Sequence, residues 1–383
     1  MTILTGLRIW DGTRVLDADT IAFDEHGISA IGERSDFKAA ELQDCSGATL
    51  IPGLIDAHVH LELNPDEKDP PEKTRATVIP LMQERALAMA QAGITTARDL
   101  GGGAWFELDL RDRIAAGAVV GPRLLCSGQP ITSVQGHCHF WGGEAASDDE
   151  ASAVLERQVE HGVDLIKIMA TGGRLTHGSY PTDAQFSEAT LSKLVEQAHA
   201  HDLPVAAHCH GTEGIRRAAC AGVDTIEHCS WVGPEGWASD YQEDIARIIV
   251  DNGVWVSPTV NKGWQRMLDS ETGKVLGRVR QAYRAMLALG IPMVASTDAG
   301  IPGVYHADLP AALVVFAKIA ELDHETALRS ATSDAARALR IDDRTGHIRP
   351  GYAADLLLLD GNPLDALDAV TRPVAVYARG RAA

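Results

Sequence analysis

From Ile51 onward, short runs of apolar residues alternate with longer segments in which apolar side chains recur every three to four positions. The short runs predict buried strands, and the longer pattern predicts amphipathic helices. The first run is Ile51-Pro-Gly-Leu-Ile-Asp-Ala-His-Val-His60. Residues 74–92 then read as a helix stopped by Gly93, followed by a strand at 94–99. Further helices are predicted at 107–116, 149–161, 187–201, 213–221, 241–252 and 274–290. Strands are predicted at 123–127, 164–169, 204–210, 223–228, 254–257 and 292–298, and two last helices begin at Leu309 and Glu325. Eight strands alternating with helices over ~250 residues is the pattern of an α/β (β/α)8 TIM barrel. A doubly wound sheet is the competing architecture, but no GxGxxG follows the first strand.

The two chain ends have a different texture. Short alternating pieces at 4–10, 18–23 and 27–32 are separated by Gly and Asp, and the same texture returns at 346–360 and 370–379. This predicts a small β-sandwich accessory domain built from residues 1–50 plus 340–383, flanking a barrel of residues 51–339. A chain of 383 residues accommodates both units.

Composition narrows the function classes. Hydrophobic residues make up 45% and charged residues 23%, so the chain can bury a large core. A formal net charge of −19 disfavours nucleic acid and anionic membrane surfaces as partners. The N-terminus has no basic segment leading an apolar one, and no run of ~18 apolar residues occurs, so a cytoplasmic protein is expected. The six cysteines form no CxxC pair and are expected to be reduced and structural.

The candidate chemistry falls at predicted strand ends. Strand side chains repeat with period two, so His58 and His60 point to the same side. A hydrogen-bonded histidine pair is the ordinary reading of an isolated HxH, and a shared divalent cation is the functional one. His208 ends the fifth strand, His228 the sixth and Asp298 the eighth, while Lys167 lies within the fourth. In a TIM barrel these ends converge on one mouth. Lys167 sits in Leu165-Ile-Lys-Ile-Met169, where its ordinary role would need a buried acidic partner. Asp298 could instead cap a following helix. Around this set, His137 and His139 lie in a loop after the third strand, His210 shares strand parity with His208, Tyr180 lies in a long loop and His306 follows Asp298. Each is a candidate substrate contact. Arg98-Asp99 ends the second strand and is expected to be a structural ion pair.

Together, Pro52-Gly-Leu-Ile-Asp-Ala-His-Val-His60, Lys167, His208, His228 and Ser296-Thr-Asp298 resemble the amidohydrolase superfamily of metal-dependent hydrolases. Asp164-Leu-Ile-Lys-Ile-Met-Ala-Thr-Gly-Gly173, Ala207-His-Cys-His-Gly211, Thr225-Ile-Glu-His228 and Gly136-His-Cys-His-Phe-Trp-Gly-Gly-Glu144 look most like its imidazolonepropionase-like and Xaa-Pro dipeptidase (prolidase)-like group. The resemblance covers nearly the whole chain. It implies two divalent metal ions, with His58, His60 and Asp298 on one, His208 and His228 on the other, and a CO2-carboxylated Lys167 bridging them. Zn2+ suits such ligands best, with Mn2+ or Co2+ as alternatives. It further implies hydrolysis of an amide bond by metal-activated hydroxide, with Asp298 as proton shuttle.

The expected substrate is a small-molecule amide, a dipeptide of Xaa-Pro-like type or an N-acyl amino acid. The alternative is a metal-dependent deaminase or a cyclic amide or imidazolone hydrolase. Such relatives place an acid near the fifth-strand histidine, whereas Glu213 falls in the next helix. A scaffold without activity is disfavoured by the complete ligand set. A homo-oligomer is compatible with this reading.

Overall fold

The computed structural model describes residues 1–37, 42–67, 74–270 and 273–383. Its central feature is two groups of parallel strands. Leu54–Val59, Ile94–Asp99 and Arg123–Cys126 form one sheet, and Ile166–Met169, Val205–Gly211, Thr225–Val232 and Trp255–Ser257 form the other. Helices follow the strands at Arg75–Gln91, Phe106–Ala115, Asp148–His161, Glu188–Ala200, Thr212–Ala221 and Glu243–Asp251, close to their expected bounds.

Local chemistry explains the helix ends. Ser147 accepts a hydrogen bond from the Glu150 amide, three acidic residues occupy the first turn, and Gly162 at φ +73° closes the helix in the left-handed region. Ser187 caps Glu188–Ala200 in the same way, through the Thr190 amide.

The expected eighth strand, 292–298, differs from the expectation. It forms no ladder and touches its neighbours through single parallel bridges, Met293 to Val256 and Ala299 to Val59. Backbone bonds still tie it on both sides, Val294 N–H to the Val256 carbonyl (2.9 Å) and Asp298 N–H to the His58 carbonyl (2.9 Å), and side chains add to them. The Ser296 hydroxyl accepts from the Thr259 amide (2.9 Å), and the Thr297 amide donates to Asp56 (3.1 Å). A third bridge, Ile131 to Ile168, lies where the two parallel sheets meet.

The chain ends build two further sheets, the first from the N-terminal end alone and the second from both ends. One pairs Gly27–Gly32, Thr20–Asp24 and Thr2–Thr5, with Gln43–Asp44 at its edge. The other joins Arg381–Ala382, Pro373–Ala378, Leu356–Asp360, Ala48–Pro52 and Arg8–Ile9. They share a core of Leu4, Ile21, Phe23, Leu50, Leu356 and Leu358, separate from the main core around the parallel strands. All six cysteines are free and five are buried. No described helix is long and apolar enough to cross a membrane.

Candidate metal centre and substrate cavity

A cavity of about 380 Å³ opens at the C-terminal ends of the parallel strands. His58, His60, Lys167, His208, His228 and Asp298 all line it, as do His137 and His210. The period-two reading of the first strand places the two Nε2 atoms of His58 and His60 3.3 Å apart.

Proton positions make that contact informative. The Nδ1 of His58 lies 2.9 Å from the Glu227 carboxylate, and the Nδ1 of His60 lies 3.2 Å from the Gly101 carbonyl. Carbonyl and carboxylate oxygens only accept, so each Nδ1 carries the proton and each Nε2 presents a lone pair. Burial, then the charge of Lys167, pulls His58 down to about 4, so its ring is neutral near pH 7. Asp298 Oδ1 lies 3.3 Å from His58 Nε2 and 3.4 Å from His60 Nε2. Burial pushes its carboxyl up, but His58, His60 and Lys167 together hold it well below the usual carboxylate range. When both rings are neutral, His58 Nε2, His60 Nε2 and Asp298 Oδ1 are three electron-pair donors that face one another with no proton between them. A divalent cation satisfies that arrangement and a hydrogen bond does not.

A second group lies beside it. One nitrogen each of His208, His210 and His228 falls within 4.8 Å of the other two, and a donor set of the same kind is made by His58, His228 and Asp298. His208 donates from Nε2 to the Gly172 carbonyl (3.1 Å), which leaves its Nδ1 free as a donor atom for a cation. Burial, followed by neighbouring histidines, lowers His208 and His228 well below the ordinary imidazole value. His210 thus sits within the histidine cluster as well as on the cavity wall.

Two backbone features aim these ligands. His228 has φ +66° and Cys229 φ +46°, and the ladder between Val205–Gly211 and Thr225–Val232 shifts register there. In a regular strand Glu227 and His228 would face opposite sides; the bulge turns both inward. Asp298 likewise has φ +61°. Left-handed backbone at non-glycine residues costs of order 1–3 kcal/mol and concentrates at functional sites.

Lys167 is fully buried, and its Nζ has no hydrogen-bond partner among the described residues. Burial lowers its pKa, with Glu227 and Asp298 opposing and Arg98 assisting.

The remaining candidates separate clearly. His137 is buried against His208, with ring centroids 4.6 Å apart, and a Cβ on Gly173 would collide with its ring. His139 lies outside the cavity lining, 4.0 Å from Glu144. Tyr180 is 63% exposed and also outside it. His306 is buried and hydrogen-bonds the His60 carbonyl (3.0 Å), so it supports the first-strand end from behind. Glu213 pairs with Arg216 and Arg217 on the outer surface.

Sequence reasoning paired Arg98 with Asp99, and the structure corrects this. Adjacent strand residues face opposite ways. Arg98 instead donates to Glu227 (2.7 Å), Thr225 (3.0 Å) and the Ala57 carbonyl (2.7 Å), while Asp99 accepts from the Leu61 and Gly101 amides. Glu227, the residue that orients His58, was also missed as a site residue. The available signal was an acidic residue inside an apolar strand, two positions from Thr225. Trp237, Trp264 and Arg174 line the cavity from loops and carry no periodic signal.

Parallel strands carrying a convergent histidine–aspartate cluster in a cavity form a candidate metal site in an α/β protein. Residues 49–382 match the Amidohydrolase family, and the chain belongs to that family. Among curated proteins it is similar to ochratoxinase of Aspergillus niger, 26% identical over 419 residues that cover 98% of this chain and 84% of the relative. Among solved structures it is similar to a Xaa-Pro dipeptidase with bound methionine in the active site, at TM-score 0.88 and 26% identity, covering 100% of this chain and 99% of the other. It also resembles a prolidase complexed with N-methylphosphonate-L-proline, at TM-score 0.85 and 27% identity over 100% and 99% of the two chains. The chain is a hydrolase of this family.

Proposed function

We propose that the protein is a binuclear metal-dependent amidohydrolase that cleaves the amide bond of a dipeptide, of Xaa-Pro-like type, or of an N-acyl amino acid. The observation that carries this reading is the meeting of His58 Nε2, His60 Nε2 and Asp298 Oδ1 without a shared proton, beside the orphaned amine of Lys167. We assign His58, His60 and Asp298 to one ion and His208 and His228 to the other, with His210 within reach of the second. Zn2+ is the expected metal. When bound, such ions supply Lewis acidity and a water of lowered pKa.

The chain's own residues supply the rest. Asp298 accepts the proton released by the attacking water and returns it to the leaving nitrogen. Glu227, held ionised by Arg98 and by the hydrogen bond from His58, fixes the tautomer that presents His58 Nε2 to the cavity. His137 faces the cavity and is the loop residue we retain as a substrate contact, ahead of His139 and Tyr180. Lys167, made easier to deprotonate by burial, is suited to add CO2 at its neutral amine with loss of one N–H proton. The carbamate so formed would replace an unpartnered amine with an anionic group able to help hold the ions.

The seven ladder strands and the 292–298 segment are read as a (β/α)8 barrel, a reading the three single bridges support. We divide the chain into that barrel, residues 51–339, and the accessory unit of residues 1–50 plus 340–383. The deaminase alternative is weakened by the surface position of Glu213.

Protein prepared with bicarbonate and Zn2+ is expected to hold about two ions per chain. It should release free amino acids from a library of dipeptides and N-acyl amino acids. Release of ammonia from pyrimidine or imidazolone controls instead would move the assignment to the alternative.

A further inference from the structure

The cavity wall carries very few charges. Its histidines are buried, and its remaining ionic side chains are Lys167 and Asp298 at the floor and Arg174. Arg174 is exposed at the mouth and forms no ion pair with any described residue. It is nevertheless placed. Its guanidinium lies over the Trp237 ring, 5.4 Å from the centroid. Trp237 meets His210 edge-on at 4.8 Å, and His210 stacks on His228 at 4.4 Å. The Trp237 carbonyl is tied down by Arg278 (3.2 Å). A row of rings thus runs from the histidine cluster to one guanidinium. The rest of the lining carries no charge: Trp264, Leu175, Ile301 and Pro302 are apolar, and Ser230, Thr259 and Asn261 are neutral polar residues.

An anionic group that leaves water for such a cavity needs a partner. Arg174 presents a planar fork of donors suited to a carboxylate, and stacking on Trp237 restricts its motion before the ligand arrives. We propose that Arg174, braced on Trp237, is the specificity-determining residue that pairs with a substrate carboxylate, and that the substrates are dipeptides or N-acyl amino acids ending in an aromatic or large apolar residue. This inference rests on the amidohydrolase reading for the bond that is cut, but the carboxylate site can be tested separately from it.

The separate test is calorimetric binding of 3-phenylpropanoate and of 3-phenylpropanamide to the metal-loaded full chain. The acid is expected to bind at least tenfold tighter than the amide. Arg174→Ala should reduce that preference by about 10- to 100-fold, the range for a hydrogen-bonded charge. Arg174→Lys should keep part of it, because charge remains without the fork. Arg174→Glu should turn the preference toward 3-phenylpropylamine. An acid preference equal in the wild type and in both the Ala and Glu variants would overturn the proposal, since the metal alone would then account for it.

Turnover of N-acetyl-L-phenylalanine against N-acetylphenethylamine, which lacks the carboxylate, gives the second arm. If neither is hydrolysed while the Arg174-dependent binding preference holds, the carboxylate site stands and the amide-hydrolase reading fails. If both are hydrolysed with a ratio independent of residue 174, the amide-hydrolase reading stands and this inference fails.

Discussion

Arg98 and Lys167 are both cations buried among the same parallel strands, at 3% and 1% exposure. Their surroundings differ completely. Arg98 has a carbonyl, a hydroxyl and a carboxylate arranged around its guanidinium, and Thr225 adds a 2.6 Å hydrogen bond to the same carboxylate. Lys167 has none of these. A buried charge that is fully partnered can serve the fold, whereas one without partners is a cost that the fold alone does not explain. Arg98 therefore holds the scaffold behind His58, whereas the fold leaves Lys167 without a partner among the described residues. The comparison teaches that burial of a charge does not separate structure from function; the completeness of its hydrogen bonds does.

The largest expected effect lies on the reactive side of this contrast. Asp298→Asn should lower kcat by about 10²- to 10⁴-fold, the usual worth of a positioned proton-transfer group. Metal content by mass spectrometry and the circular dichroism spectrum should stay close to wild type. Undiminished turnover would remove the proton-transfer role.

Breaking the partnered cation comes next. Arg98→Leu leaves Glu227 buried and charged without its guanidinium, and should cost about 3–5 kcal/mol in urea unfolding of the metal-free protein. Lys167→Met should act in the opposite direction in the same assay, a gain of about 1–3 kcal/mol, because it removes an unsatisfied buried donor. In the metal-loaded protein Lys167→Met should reduce bound metal from about two ions to one. Equal destabilisation by both substitutions would erase the distinction between the two cations.

Smaller changes sharpen it. Thr225→Val removes one hydroxyl from the Arg98–Glu227 group and should cost about 1–2 kcal/mol, with a modest loss of metal affinity transmitted through His58. Ser187→Ala, at a helix start remote from the cavity, should cost about 1 kcal/mol in thermal unfolding and leave kcat/KM untouched.

Much of this was legible in the amino-acid order because it depends on local periodicity. The period of two put His58 and His60 on one side, and the alternation of runs with helical segments located the parallel strands that carry Lys167, His208 and His228. The stop of the first helix was read from Gly93, which adopts φ +93°. Other features were hidden because they depend on departures from periodicity or on distant partners. The bulge at His228 and Cys229 turns two adjacent side chains inward, which strand parity forbids. The 292–298 segment keeps a few backbone bonds to its neighbours and adds Ser296 and Thr297 side-chain bonds where a regular ladder was expected. Arg98 was assigned to its neighbour in sequence, yet its partner lies 129 positions away.

What the sequence by itself determined is the set of strand-end residues and their type, since period and residue chemistry are properties of short segments. Only the tertiary structure decided how they are protonated, partnered and aimed. A tautomer is set by whatever oxygen lies beside the other ring nitrogen, here Glu227 for His58 and the Gly101 carbonyl for His60, and a pKa by the dielectric and charges that folding assembles. The same holds for Lys167, whose meaning comes from the partners that the fold withholds from it.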